Sequence, residues 1–299
     1  MIKTTGRRAL SPLASMLILA GLVLFFGALL QMLIAFPLGQ LLTGGNITGN
    51  DFLMHPEEYP NGWLATMLNQ GIASFSAYIV APMIFWYWIG NQNVIFAEKS
   101  SLDPIVWTLV LVLVIVYIPF NSLIYEWNQR LPVPEWMSNS EERLDKLTKF
   151  LTNFTSFGQF MLGMLVVGVI PAIGEEFLFR GTVQKLFERW WGNPHLAIWL
   201  AAAIFSAIHV QFLGFFPRML LGALFGYLYV WTRNLWVPIW AHFVNNGFMV
   251  IMMYLRNQKM IDIDIEDNTV IPLPGAILSM GLSVGLMWLI HKRSVSEVN

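Results

Sequence analysis

Residues 157–179 read Phe-Gly-Gln-Phe-Met-Leu-Gly-Met-Leu-Val-Val-Gly-Val-Ile-Pro-Ala-Ile-Gly-Glu-Glu-Phe-Leu-Phe. The run is apolar from Phe160 to Ile173. With its flanks it is long enough to cross a hydrocarbon core, which takes about 20 helical residues. It ends on two adjacent carboxylates, Glu175 and Glu176, and Arg180 follows four residues after the second. An ionisable side chain inside a membrane helix costs roughly 2.5–3.5 kcal/mol on insertion scales, so each one needs a partner or a task.

Seven further apolar stretches flank Phe157–Phe179: Ser11–Leu41, Gly62–Ile89, Pro104–Ile124, Leu196–Leu213, Pro217–Trp231, Val237–Leu255 and Pro272–Ile290. Together they predict an all-α, polytopic membrane helix bundle of about eight transmembrane helices, forming a single membrane domain over residues 1–299. The composition agrees. The chain is 56% hydrophobic and 12% charged, about half the charged fraction of a soluble domain, and its mean hydropathy is +0.59. A net charge of −1 with no basic stripe gives no footprint for nucleic acid. The lack of cysteine excludes disulfides, thiolate zinc sites and cysteine nucleophiles. The 13 Trp and 22 Phe suit interfacial belts and helix packing in a lipid bilayer.

Lys3, Arg7 and Arg8 precede an apolar run longer than the roughly 7–15 residues of a signal h-region, so the first stretch reads as an uncleaved anchor. The excess of positive charge on cytoplasmic flanks puts the N-terminus in the cytoplasm. Eight crossings then return Lys292 and Arg293 to that side of a cytoplasmic (inner) membrane. The acidic loops Asp51–Glu57–Glu58 and Asp262–Asp264–Glu266–Asp267 face outward. The mixed-charge segment Glu126–Lys149 suits an amphipathic helix on the outer surface. Two Gly-x-x-x-Gly pairs, Gly222/Gly226 and Gly281/Gly285, are expected to mark close helix packing within the chain.

The polar residues inside the stretches concentrate in three of them. Glu176 and Arg180 are four apart and share a helix face, in the favourable acid-before-base order. Glu175 points about 100° away from its neighbour. One carboxylate can be neutralised by Arg180 while the other faces a cavity; the alternative is a charged interfacial end from which Arg180 snorkels. Phe205-Ser-Ala-Ile-His209 carries a histidine that can be a packing residue or a functional one. His242 and Asn246 are four apart on one face, where Asn246 could equally serve as a helix–helix hydrogen-bonding group. A carboxylate, two imidazoles and a carboxamide on three helices are the parts of a hydrolytic site. Peptide hydrolysis needs a base for water, donors for the oxyanion and a proton route to the leaving amine. A glutamate shielded from water can be that base.

The ordered set Glu175-Glu176-x-x-x-Arg180, Phe205-x-x-x-His209 and His242-x-x-x-Asn246 resembles the three motifs of the CPBP family of intramembrane proteases, which includes the type II CAAX prenyl endopeptidases and the bacterial Abi proteins. The resemblance covers about Phe157 to Tyr254, within a catalytic core spanning residues 157–255. It implies that Glu175 and His209 position and activate water, that His242 and Asn246 form the oxyanion hole, and that Glu176 and Arg180 orient the site as an ion pair, with Phe205 as motif packing. It implies a membrane-associated protein or peptide as substrate, prenylated tails being the type case. No cofactor is required on a glutamate mechanism. The alternative is one divalent metal, zinc, on Glu175, His209 and His242. A proton-coupled transporter would show an inverted repeat, and none is visible. A non-catalytic immunity or scaffold protein of the same fold is the other rival.

Overall fold

The structure is a computed structural model, and it describes residues 10–45, 51–88, 102–261 and 272–296. Lys3, Arg7 and Arg8 lie outside these residues, as does the acidic run from Asp262 to Asp267. Long helices with no β-strand among the described residues bear out the all-α expectation. In chain order they are α1 (Pro12–Leu42), α2 (Gly62–Trp88), α3 (Pro104–Gln129), α4 (Glu135–Thr152), α5 (Phe157–Trp191), α6 (Pro194–Ala207), α7 (Phe215–Thr232), α8 (Trp236–Asn257) and α9 (Leu273–Ser296).

Several starts are set by a polar cap followed by proline, a pairing that satisfies a free N–H where proline has none to lose. Ser11 accepts from the Ala14 N–H before Pro12. Asp103 accepts from Ile105 before Pro104, and Asn193 accepts from His195 and Leu196 before Pro194. Within α3, Pro119 breaks the ladder. There the Ser279 hydroxyl of α9 inserts, accepting from the Phe120 N–H at 3.1 Å and donating to the Val116 carbonyl. A proline defect in one helix is thereby answered by a serine on its neighbour.

Among the described residues, six segments are long and apolar enough to cross a membrane: Pro12–Leu42, Gly62–Trp88, Pro104–Gln129, Phe157–Trp191, Phe212–Thr232 and Leu273–Ser294. This makes the chain an integral membrane protein, but the expected count of eight is not confirmed. The stretch 196–213 yields only the 14-residue α6, about 21 Å long at 1.5 Å per residue. It ends at Ala207, and a turn and the 3₁₀ turn Phe212–Gly214 follow. Helix α8 has the length, at 22 residues, but His242, Asn245 and Asn246 dilute its apolarity. The expected amphipathic segment appears as α4, which buries none of its residues.

The principal core joins Val110, Leu113 and Val114 of α3, Leu224, Phe225 and Leu228 of α7, Ala241 of α8 and Ile290 of α9. A second core joins Leu19 of α1, Phe85 of α2, Leu178 and Phe179 of α5 and Phe205 of α6. Helix α5 contributes to the second core and also packs against α8. Outer helices present apolar side chains away from the core, Leu24 of α1 being 75% exposed, as a lipid-facing surface requires.

The two glycine pairs part company. A Cβ on Gly226 would lie 2.9 Å from both Gln184 Oε1 and Ile198 Cγ2, and one on Gly222 would lie 3.1 Å from Phe205. This is the expected close packing. Gly281 and Gly285 face nothing within 4 Å, so that expectation does not hold for them. Gly226→Val should lower stability by about 1–3 kcal/mol through overpacking, whereas Gly281→Val should change it by less than about 0.5 kcal/mol. Thermal unfolding of the two variants in detergent checks this contrast.

Candidate active site

Helix α5 runs unbroken past its carboxylates to Trp191, ending at Gly192 in the left-handed region (φ +64°). It contains two π-helical turns, Met164–Val169 and Phe179–Val183, which flank the α-helical turn holding Glu175 and Glu176. Single π turns inside α-helices recur at functional positions because they re-aim the side chains beyond them. Gly174 lets α2 approach, since a Cβ there would lie 2.9 Å from the Tyr78 Cβ.

Glu176 is fully buried and Arg180 nearly so. Arg180 Nη1 donates to Glu176 Oε1 at 2.7 Å, and Nη2 donates to the Gly222 carbonyl of α7 at 2.6 Å. The guanidinium lies over the rings of Phe205 (5.1 Å) and Phe225 (5.6 Å). The same Glu176 Oε1 accepts from His242 Nδ1 at 2.8 Å. His242 stacks on Phe225 and turns its Nε2 toward Glu175 Oε2, 3.9 Å away. One imidazole thus links the two carboxylates.

His209 lies beyond the end of α6. Its Nδ1 bonds the Phe205 carbonyl at 2.8 Å; a carbonyl only accepts, so Nδ1 carries the hydrogen and Nε2 keeps its lone pair. Phe205 meets both imidazoles edge-on, at 5.1 Å from His209 and 6.2 Å from His242. The residue after His209 is strained. Val210 has φ +54°, a region that a β-branched side chain avoids.

Asn246 lies one turn beyond His242. Its amide donates to the Val167 carbonyl at 3.0 Å, and its oxygen accepts from Asn245 at 3.0 Å. Pro171, four residues after Val167, has no N–H to offer that carbonyl. The carboxamide supplies it instead.

The structure therefore brings Glu175, Glu176, Arg180, His242 and Phe205 into one contact network and sets His209 against Phe205. It ties Asn246 to the backbone of α5 rather than to the carboxylates. Sequence reading missed Arg218, on the first turn of α7, whose charge acts on Glu175 and His209. Its signal was an arginine one residue inside an apolar stretch. Also missed was Gln211, which accepts from Arg218 Nη2 at 2.5 Å.

As a zinc site the expected trio fits poorly. Among the described residues, the one group of three such donors whose ligand atoms all lie within 4.8 Å of one another is the exposed His55, Glu57 and Glu58. The donors of Glu175, His209 and His242 are not drawn together to that degree. A cavity of about 320 Å³ between α3, α5 and α8 is lined by apolar side chains, among them Trp107, Ala172, Ile173, Trp240 and Phe243, and by none of the site residues.

Residues 157–248 match the family model described as Rce1-like, type II CAAX prenyl endopeptidase. The chain is similar to the Staphylococcus aureus membrane-embedded CAAX protease MroQ, 35% identical over 100 residues, covering 31% of this chain and 40% of that protein. It is also similar to the Bacillus subtilis protein YpbD, 34% identical over 85 residues, covering 27% of this chain and 40% of that protein. The chain thus spans about two fifths of the length of these relatives. No solved structure matches it.

Two consequences are measurable. Glu176→Gln removes the charge that compensates Arg180 and should destabilise the protein by about 3–5 kcal/mol, as breaking a buried pair does; unfolding in detergent reads this. Val210→Gly should hold or raise the thermal midpoint, because it releases a strain of about 1–3 kcal/mol.

Proposed function

We propose that this chain, whose residues 157–248 belong to the Rce1-like type II CAAX prenyl endopeptidase family, is an intramembrane endopeptidase that hydrolyses a peptide bond in a membrane-associated protein or peptide. The observation that carries the reading is the buried array in which His242 joins Glu176 Oε1 at 2.8 Å and approaches Glu175 Oε2 at 3.9 Å, inside a bundle of membrane helices.

Glu175 is the general base. It takes a proton from water as the hydroxide attacks the scissile carbonyl carbon, then returns that proton to the departing amine as the C–N bond breaks. His209 holds the water through its free Nε2 lone pair. His242 donates to the oxyanion from Nε2 when doubly protonated, with Nδ1 anchored on Glu176. The second N–H of the Asn246 amide is the companion donor. Glu176 and Arg180 position His242 and Glu175 and do not touch substrate. The reaction needs no metal, in keeping with the poor convergence of the three metal-capable side chains. The apolar cavity beside Ala172 and Ile173 accepts an apolar part of the substrate.

The protein resides in the cytoplasmic membrane with both termini on the cytoplasmic side. The chain forms a single membrane domain, with the catalytic core in residues 157–255.

Glu175→Gln should lower turnover at least 100-fold, the lower end of the effect of a general base, with unfolding unchanged. The measurement compares peptide termini in membranes holding wild-type or Glu175→Gln protein at matched abundance. Termini that depend on Glu175 support the reading; wild-type turnover in the variant removes Glu175 as the base.

A further inference from the structure

We propose that Arg218 is the anion receptor of this site, binding a carboxylate of the peptide substrate, whether the chain terminus or an acidic side chain. The inference rests on the peptidase reading for its ligand but on separate residues for its geometry.

Arg218 lies on the first turn of α7, inside the apolar segment Phe212–Thr232, and is only partly exposed. A cation within an apolar segment is costly and ordinarily has a counter-charge, as Arg180 has in Glu176. Arg218 has none at contact distance among the described residues. Its hydrogen bonds go to neutral groups of one residue, Gln211 Oε1 (2.5 Å) and the Gln211 carbonyl (3.5 Å). A guanidinium has five N–H donors, so three are left without a protein acceptor among the described residues.

The groups facing Arg218 from neighbouring elements act only at longer range. They are Glu175 on α5, Glu141 on α4, Tyr125 on α3 and His209 in the turn after α6. Glu141 is itself committed, its Oε1 accepting from the Leu213 N–H at 2.8 Å.

The guanidinium is also held in place. It rests on Gly214, where a Cβ would lie 3.1 Å from Nη2, and Gln211 follows the strained Val210. A fork-shaped donor with free N–H groups, bonded to Gln211 two residues after His209, matches a planar carboxylate.

The test uses full-length Glu175→Gln protein in detergent, so that binding is read without turnover. The probe is a dye-labelled Ala/Leu hexapeptide in three forms: free C-terminal carboxylate, C-terminal amide, and amide with one internal Glu. The amide form should bind about tenfold more weakly than the preferred acidic form, the scale of a charge-assisted hydrogen bond. The better acidic form identifies the source of the carboxylate.

Adding Arg218→Gln should erase the difference, while Arg218→Lys should keep a reduced one. Where Arg218→Gln fails to fold, Arg218→Lys and Gly214→Val, which crowds the guanidinium, decide; both should weaken the preference. Equal affinities for all three peptides overturn the inference. So does a preference that survives these variants, or an equal loss for every peptide, which marks a brace for the His209 turn. Acid-selective binding by a wild-type protein that hydrolyses nothing would sink the peptidase reading and leave this one standing. Hydrolysis without acid selectivity would do the reverse.

Discussion

A carboxylate buried among membrane helices has no water to accept from, and Glu176 is the point at which this bundle resolves that constraint. Its Oε1 receives both Arg180 and His242. Arg180 in turn reaches the Gly222 carbonyl and lies over Phe205 and Phe225. Through one oxygen atom, α5 is tied to α7 and α8, and Phe205 brings in α6. Charge pairing here does more for arrangement than for net stability, since the desolvation of both partners offsets much of their attraction.

The surrounding apolar structure serves that arrangement. Gly222 and Gly226 let α7 approach α6 and the Gln184 side chain closely enough for the Arg180 bond to form. Phe205 separates the two imidazoles while contacting both. Asn246 repairs the hydrogen-bond vacancy that Pro171 leaves at Val167. Most polar groups in this region are matched to protein partners, as a lipid environment demands, while Glu176 Oε2 and Gln184 Oε1 are buried without one.

The fold class, most membrane segments and the Glu176–Arg180 pair were legible because each follows from local periodicity: run length for a span, four-residue spacing for a shared face. Helix α5 continues through Leu186 and Phe187 to Trp191, past the apolar stretch that ends at Phe179. What escaped depended on partners remote in sequence. Gly222/Gly226 and Gly281/Gly285 have identical spacing, and only the neighbouring helix distinguishes them. The stretch 196–213 reads as one apolar run, yet it breaks near Val210, where no Gly or Pro announces a positive φ. Arg218 was hidden by its apolar flanks, and its relation to Glu175 exists only in three dimensions. Asn246 could have been placed by asking which carbonyl Pro171 orphans.

The π turn at Met164–Val169 has a consequence for how such chains diverge. A π turn is the trace that one inserted residue leaves in an α-helix, because the extra residue bulges and the helix resumes beyond it. Removing one residue from 164–169 would restore a regular helix and leave the residues beyond it close to their present orientation, because the local unwinding of the π turn already absorbs the roughly 100° that an extra residue adds. Glu175 and Glu176 would keep their direction toward His242, and the change would fall on the turn itself, where Val166 packs beside Val250. Length in this short segment is therefore free to differ by one residue between related chains without turning the carboxylates from their histidine.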